Sequence, residues 1–493
     1  MNRSSTFDAG APRLVRWMGG IGVVGGAVLL GALTARVGLA VPMGVVGACG
    51  TAFLGGMLLK RPRWAMGAAV VMAFIGLGIK RYINAPWGLT VDLLLVAAWA
   101  GVLLSDRIRV TREVLREAFF NPPAIAALLW MAYIVVQIVN PEARSLLAWA
   151  YAMRGVGLYF VLTVPLVYLL FAQRADLERF VHVWFALAIL ATLHGLRQKV
   201  IGVDPFEQAW LDAGAAVQHV LFGRLRIFSF FSDAGQFGAM QGHVAVTAGV
   251  MMLSAGLSWK RRTFYALTTA CGLIGLFISG TRGAMAVPFL GGITYLVLSK
   301  NWRMLLLGVV AMAGAYGVLR YTTIANNVYE INRMRAAIIR GADTPSMQVR
   351  LENQRRLAAY MDARPVVAVI GGGIGSVGSW GQRFSPGTFL AEFPPDSWYV
   401  RIWAEMGGVG LALHLGLLLF LMGYAALLLW RVHDPPLRST LIGLHAGIMG
   451  ILLASYGNQV LGQMPTGLIV YISLAYLFLG PTFDSDASDD SCL

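Results

Sequence analysis

Met406-Gly-Gly-Val-Gly-Leu-Ala-Leu-His-Leu-Gly-Leu-Leu-Leu-Phe-Leu-Met-Gly-Tyr-Ala-Ala-Leu-Leu-Leu-Trp430 contains no acidic residue, lysine or arginine. Such a run reads as a transmembrane helix, because roughly 20 mostly apolar residues are needed to cross the hydrocarbon core of a bilayer. Comparable runs recur at 17–35, 37–59, 65–79, 88–104, 123–139, 155–172, 180–198, 235–257, 263–280, 283–299, 304–319, 439–458 and 464–480. The reading is an all-α polytopic membrane protein with about fourteen spans, or twelve where short runs such as 65–79 fail to cross. Four regions follow: N-terminal transmembrane helices over 1–219, spans with arginine-bearing outer turns over 220–319, a long polar loop over 320–405 carrying amphipathic helices, and C-terminal spans with an acidic tail over 406–493.

Composition supports this class. Hydrophobic residues make up 57% of the chain and charged residues 13%. The alternating pattern of a β-barrel is missing, which leaves helices to satisfy the backbone in lipid. A net charge of +15 would suggest nucleic acid in a soluble protein, but here topology explains most of it and no nucleic-acid partner is expected. The 3 cysteines are too few and too scattered for a disulfide framework or a thiolate metal site. The first apolar run follows a basic N-terminus without a cleavage signature, so it reads as a retained span.

Basic clusters mark alternate connections: Lys60-Arg61-Pro62-Arg63, then Arg107 to Arg116, Arg174 and Arg179, Lys260-Arg261-Arg262, Lys300 and Arg303, and Arg431 and Arg438. The positive-inside rule places these, and both termini, in the cytoplasm. The 320–405 loop is then outside. Arg224, Arg226, Arg282, Arg320, Arg333, Arg335, Arg340, Arg350, Arg355, Arg356, Arg364, Arg383 and Arg401 fall on the outer side, where the rule disfavours them. A general preference for arginine over lysine accounts for part of this. It does not account for arginines beside span ends, where a guanidinium fork suits a phosphate.

Four outer segments could carry chemistry. In Gly223-Arg-Leu-Arg-Ile-Phe-Ser-Phe-Phe-Ser-Asp-Ala-Gly-Gln-Phe-Gly238, Arg224 and Arg226 either meet a phosphate headgroup or snorkel, with Phe228, Phe230 and Phe231 in the headgroup belt. In Ser279-Gly-Thr-Arg-Gly-Ala284, Arg282 is held at a membrane boundary, either as a functional cation or as a lock on the turn. Residues 346–362 read as a helix capped by Ser346, with Glu352 and Arg356 paired, an apolar flank of Leu357, Tyr360 and Met361, and Arg350 free to roof a site. Pro365 stops it. Asp396, in Pro394-Pro-Asp-Ser-Trp-Tyr399, is either a general base or a helix N-cap. Gly373-Ile-Gly-Ser-Val-Gly378 fits a dinucleotide fingerprint in letters only, and reads as a tight loop beside a ligand. The histidines show no ligand spacing and the outer acidic residues do not cluster, so arginines would do the electrostatic work of a metal.

In order and spacing these segments resemble the O-antigen ligase/polymerase superfamily of bacterial envelope glycosyltransferases. The matching features are Arg224-x-Arg226 with its Phe-Ser-Asp-Ala-Gly-Gln-Phe-Gly step, the Arg282 turn, the loop with Arg350 and Arg356, Pro365, the glycine run, and Asp396-Ser-Trp-Tyr leading to Glu405-x-Gly407. They cover roughly 220–430. The resemblance implies transfer of glycan from an undecaprenyl-pyrophosphate carrier at the periplasmic face of the inner membrane, without metal or cofactor. By position, Arg224 or Arg226, Arg282 and Arg350 would bind the pyrophosphate, and Asp396 would serve as base. Ligases of the family usually carry histidine at that last position, which favours a polysaccharide polymerase here. The alternatives are a ligase moving glycan to lipid A-core or protein, and, more remotely, a lipid-linked glycan flippase or transporter. Partners implied are the lipid-linked donor, a glycan or lipid-linked acceptor, membrane lipids, and chain-length-regulating or export components.

Overall fold

A computed structural model describes residues 55–83, 85–104, 111–221, 223–300 and 345–489, with isolated positions between 301 and 344. The expected span at 17–35, most of those at 37–59 and 304–319, and Arg333 and Arg340 lie outside the described residues.

Eight of the described helices are long and apolar enough to cross a membrane. They include α1 (Pro62–Ile79), followed by the shorter apolar α2 (Gly88–Leu104), then α3 (Pro122–Val139), α4 (Leu146–Leu170) and α5 (Arg174–Val200). Next come α6 (Ala234–Met252) and α7 (Trp259–Ile278), at expected span positions but more polar. The remaining spans are α8 (Arg282–Ser299), α10 (Trp398–Leu429), α11 (Pro435–Gly457) and α12 (Thr466–Asp484), with α9 (Pro345–Asp362) lying between the third-last and the one before it. Start signals are local: Asn121 accepts from Ala124 N at 2.9 Å ahead of Pro122, and Asp233 accepts from Gln236 N at 3.0 Å at the head of α6.

Helices in lipid gain little from burying apolar surface against one another, so close backbone approach and internal hydrogen bonds matter more. Around α6 both are present. A Cβ on Gly443 of α11 would lie 2.9 Å from the Thr247 carbonyl, and one on Gly450 only 2.4 Å from that of Val287. Thr247 Oγ1 donates to Gly443 O at 3.2 Å, and Gln241 Nε2 to Ala188 O at 3.0 Å. Burial differs sharply along the bundle: 89% of the α12 window is enclosed by protein, against 22% for α10. The first is a central post, and the second is enclosed along only part of its surface.

Among the described residues the one departure from an all-helical chain is a small hairpin, Val220–Leu221 paired with Arg224–Leu225. The polar interval is compact. Leu357 and Met361 of α9 pack with Val367, Val377, Leu390, Phe393 and Ala404 in a hydrophobic cluster of their own. The apolar flank expected of α9 is therefore what docks it. Its start differs: the helix begins at Pro345, one residue before the expected cap Ser346, because proline is preorganised for a first turn. Glu352 comes within 3.9 Å of Arg355, one position short of the expected Arg356.

The glycine run forms the expected tight loop. Residues 366–370 lie in the short helix Pro365–Ile370, where a dinucleotide site would need a strand. Gly371 and Gly407 both have positive φ, 82° and 69°, and a Cβ on either would fall 2.3 Å from backbone of the other's segment. Only glycine allows this crossing, which is also where α10 kinks. Glu405, fully buried, is bonded by Arg401 Nε at 3.1 Å beneath the same loop.

Candidate functional site

The segment leading into α6 is held from behind. Arg81, at the end of α1, donates to the carbonyls of Ser229 and Phe231, and its guanidinium lies over the rings of Phe228 and Trp210 at 4.3 and 4.7 Å. Glu207, fully buried, sits 3.8 Å from Arg81 and receives Arg197 at 2.6 Å and Gln198 at 2.7 Å. Gln198 Oε1 in turn accepts from Ser229 N at 2.9 Å. Burial lowers the Arg81 pKa to about 10, with Glu207 opposing the fall. Nearby, burial and a hydrogen bond to Asp204 push the Tyr82 hydroxyl up to about 12. This charge-assisted clamp fixes the backbone over 228–231.

Phe228 and Phe231 are fully buried and Phe230 stacks on His194 at 4.2 Å between ring centroids. The interfacial belt that these rings suggested is thus replaced by core packing: Phe231 meets Phe74 edge-on at 5.9 Å, and Phe228 meets Trp210 and His219. With the rings anchored inward, Arg226 is aimed rather than snorkelling. Its backbone donates to His219 O at 2.9 Å, and its Nη2 donates to Thr281 Oγ1 at 2.8 Å. Arg224, in the hairpin, is exposed.

Thr281 immediately precedes Arg282, which is half-buried in the 3-10 turn Arg282–Met285. The next residue, Gly283, packs so closely on the Asn458 side chain that a Cβ would lie 2.5 Å from its Nδ2. Arg350 Nη2 donates to the neighbouring Gly457 O at 2.8 Å. Arg350 Nε is 4.0 Å from Asp396 Oδ2, with both side chains partly exposed. Asp396 is free of the capping duty: Ser397 caps α10 by accepting from Val400 N. Arg350, Asp396, Asn353, Pro394 and Tyr456 line a narrow cleft of about 20 Å³ between α9 and the start of α10.

Arg226, Arg282, Arg350 and Asp396 are thus brought to one region, and Arg224 stands at its exposed edge. Arg350 and the turn that carries Arg282 both meet a stretch without a sequence motif, Gly457-Asn-Gln-Val-Leu-Gly-Gln463 between α11 and α12. Gln459 Nε2 donates to Pro395 O, Arg401 Nη1 reaches Gln459 Oε1 at 3.4 Å, and Ser232 Oγ faces Gln463 Oε1 at 3.4 Å. Asn458 Nδ2 is buried and finds no acceptor among the described residues. A buried donor left open in this way suits an oxygen-rich ligand. One sequence signal pointed there: an asparagine and two glutamines in a short turn between two apolar runs.

Fold and site define a polytopic helical membrane protein with a cluster of arginines, a carboxylate and amides at one end of its bundle. Residues 267–415 match the family model described as O-Antigen ligase. That match takes in the Arg282 turn, Arg350 and Asp396, and supports the resemblance to the O-antigen ligase/polymerase superfamily of glycan-transferring membrane enzymes. A search of curated proteins finds no matching relative.

Proposed function

We propose that the protein is a glycosyltransferase joining a lipid-linked glycan to an acceptor at the outer face of the inner membrane, with undecaprenyl pyrophosphate as the leaving group. The observation that carries this reading is a chain of contacts: Arg226 bonds Thr281 beside Arg282, Gly283 of the same turn packs on the Asn458 side chain, and Arg350 bonds Gly457 O with Asp396 next to it. An acceptor hydroxyl attacks the anomeric carbon of the donor and its proton passes to the Asp396 carboxylate. The bond from that carbon to the pyrophosphate oxygen breaks, and the arginines take up the charge that develops there. Fixed guanidinium groups in a partly desolvated site can stabilise such a leaving group without a metal.

Polymerisation of repeat units is the first reading, because Asp396 stands where the ligases of the resembled family usually carry histidine. Ligation to lipid A-core or protein is the second, favoured by the description of the matching family model. Deleting the gene in its host and sizing the glycans separates the two. Single repeat units with long chains gone mark a polymerase, whereas long chains accumulating on the carrier mark a ligase. The chemistry is tested by Arg282→Ala, which should abolish transfer in membranes containing normal amounts of inserted protein; a normal rate refutes the site.

A further inference from the structure

Beside the arginine cluster a second, larger cavity of about 260 Å³ opens between α1, α2 and α4. It reaches the first site directly, since Ser232, Arg401 and Gln463 belong to its wall. Its far side is built differently. Tyr151 stacks on Trp380 at 4.7 Å and on Phe384 at 5.7 Å between ring centroids, and Trp87 closes another edge. Arg154 forms an ion pair with Asp92, to which Tyr159 also donates its hydroxyl.

Charge balance decides what such a cavity accepts. Arg154 is matched by Asp92 and Arg401 by Glu405, so the walls offer fixed dipoles and hydrogen-bonding edges without the surplus positive charge that a phosphate needs. Aromatic faces beside paired polar groups suit a neutral polyhydroxylated ring, which presents C–H surface and hydroxyls together. An ion pair within apolar helices is costly and marks a substrate path when it faces a cavity. Here Arg154 begins a π-helical turn, Arg154–Leu158, a distortion common at functional sites. The turn also brings α4 against the linker between α11 and α12: a Cβ on Gly155 would lie 2.8 Å from Gly462 O.

We infer that this cavity is a glycan subsite, receiving neutral sugar rings next to the bond made or broken at the arginine cluster. It rests on the transfer reading above for the identity of the glycan. Its volume is of the size of a short glycan end.

The probe is the host's repeat-unit oligosaccharide, released from its lipid carrier by mild acid. It is titrated calorimetrically into the full-length protein in detergent, and the same preparations are assayed for transfer. Wild type binds the free oligosaccharide; Tyr151→Ala and Trp380→Ala each weaken binding about tenfold. Both also raise the KM for glycan by about the same factor, leaving kcat within about twofold, the pattern of a lost binding contact. Tyr151→Phe, which keeps the stacked ring, restores binding. No binding by the wild type, or unchanged binding in both alanine variants, overturns the subsite. If Arg282→Ala transfers normally while the cavity variants lose binding, the transfer reading fails and the subsite stands.

Discussion

Replacing Arg81 by methionine tests the idea that a distant clamp aims Arg226. Burial takes the Arg81 guanidinium from 12.5 down to about 10, which at 1.36 kcal/mol per pKa unit is about 3 kcal/mol against its charge. Both values lie above neutral pH, so this cost is fully present in the neutral range. Arg81→Met removes the cost but strands the Ser229 and Phe231 carbonyls, at about 1–3 kcal/mol each. The two effects nearly cancel, leaving a net loss of no more than about 3 kcal/mol. Glu207→Gln is the harsher change, because Arg81 and Arg197 keep their charges beside a neutral group, at about 3–5 kcal/mol. In detergent Glu207→Gln should have a lower Tm than Arg81→Met, whose Tm stays nearer that of wild type. Transfer by Arg81→Met should still fall by about tenfold or more, because displacement of a positioned group by an ångström is enough to cost that much. A reversed Tm order, or a wild-type rate in Arg81→Met, refutes the reasoning.

Three further outcomes are expected. Asn458→Ala removes a buried donor that has no acceptor among the described residues, so its Tm should stay within a few degrees of wild type while transfer drops; unchanged transfer would remove Asn458 from the site. Gly407→Ala places a Cβ 2.3 Å from Val369 O at a φ of 69°, and should cost more than about 3 kcal/mol, whereas Gly416→Ala, with open space around it, should be tolerated in the same unfolding assay. Burial holds the His219 imidazole down at about 4 against an ordinary 6.5, with Arg81 and Arg226 pulling the same way and Asp233 opposing. The unfolded chain binds the proton first, so stability present at pH 7 is lost as pH falls from about 6.5 towards 4, by about 2 kcal/mol at pH 5. His219→Gln should flatten that part of a Tm-against-pH profile.

The eight described helices of spanning length were legible because a bilayer demands length and apolarity, and both are written locally. The helix over 345–362 was legible for a similar reason: Leu357, Tyr360 and Met361 fall on one face, and that face packs. Asp396 could be either base or cap from sequence, since the next residue, Ser397, is an equally good cap. The arginine turns could be found because charge at a span end is anomalous. The clamp could not, because Arg81 and Ser229 lie far apart in the chain and nothing local couples them. Aromatic residues before α6 suggested an interface, whereas Trp210, His219 and Phe74 bury them from elsewhere in the chain. Asn458 and Gln459 belong to no motif, since their importance comes from what packs and bonds around them.

The enclosure of α12 bears on how the molecule is made. The helices against which it packs, α1, α3, α4, α5, α10 and α11, all precede it in the chain. During synthesis they must therefore enter the bilayer around an empty socket, with polar edges such as that of Gln236, which bonds to Met464 O, still unpartnered. Until α12 arrives, the faces that it covers in the finished bundle lack that partner. The linker before α12 also bonds Ser232, Arg401 and Arg350, so the arginine cluster can take its final form only once the last described span is in place.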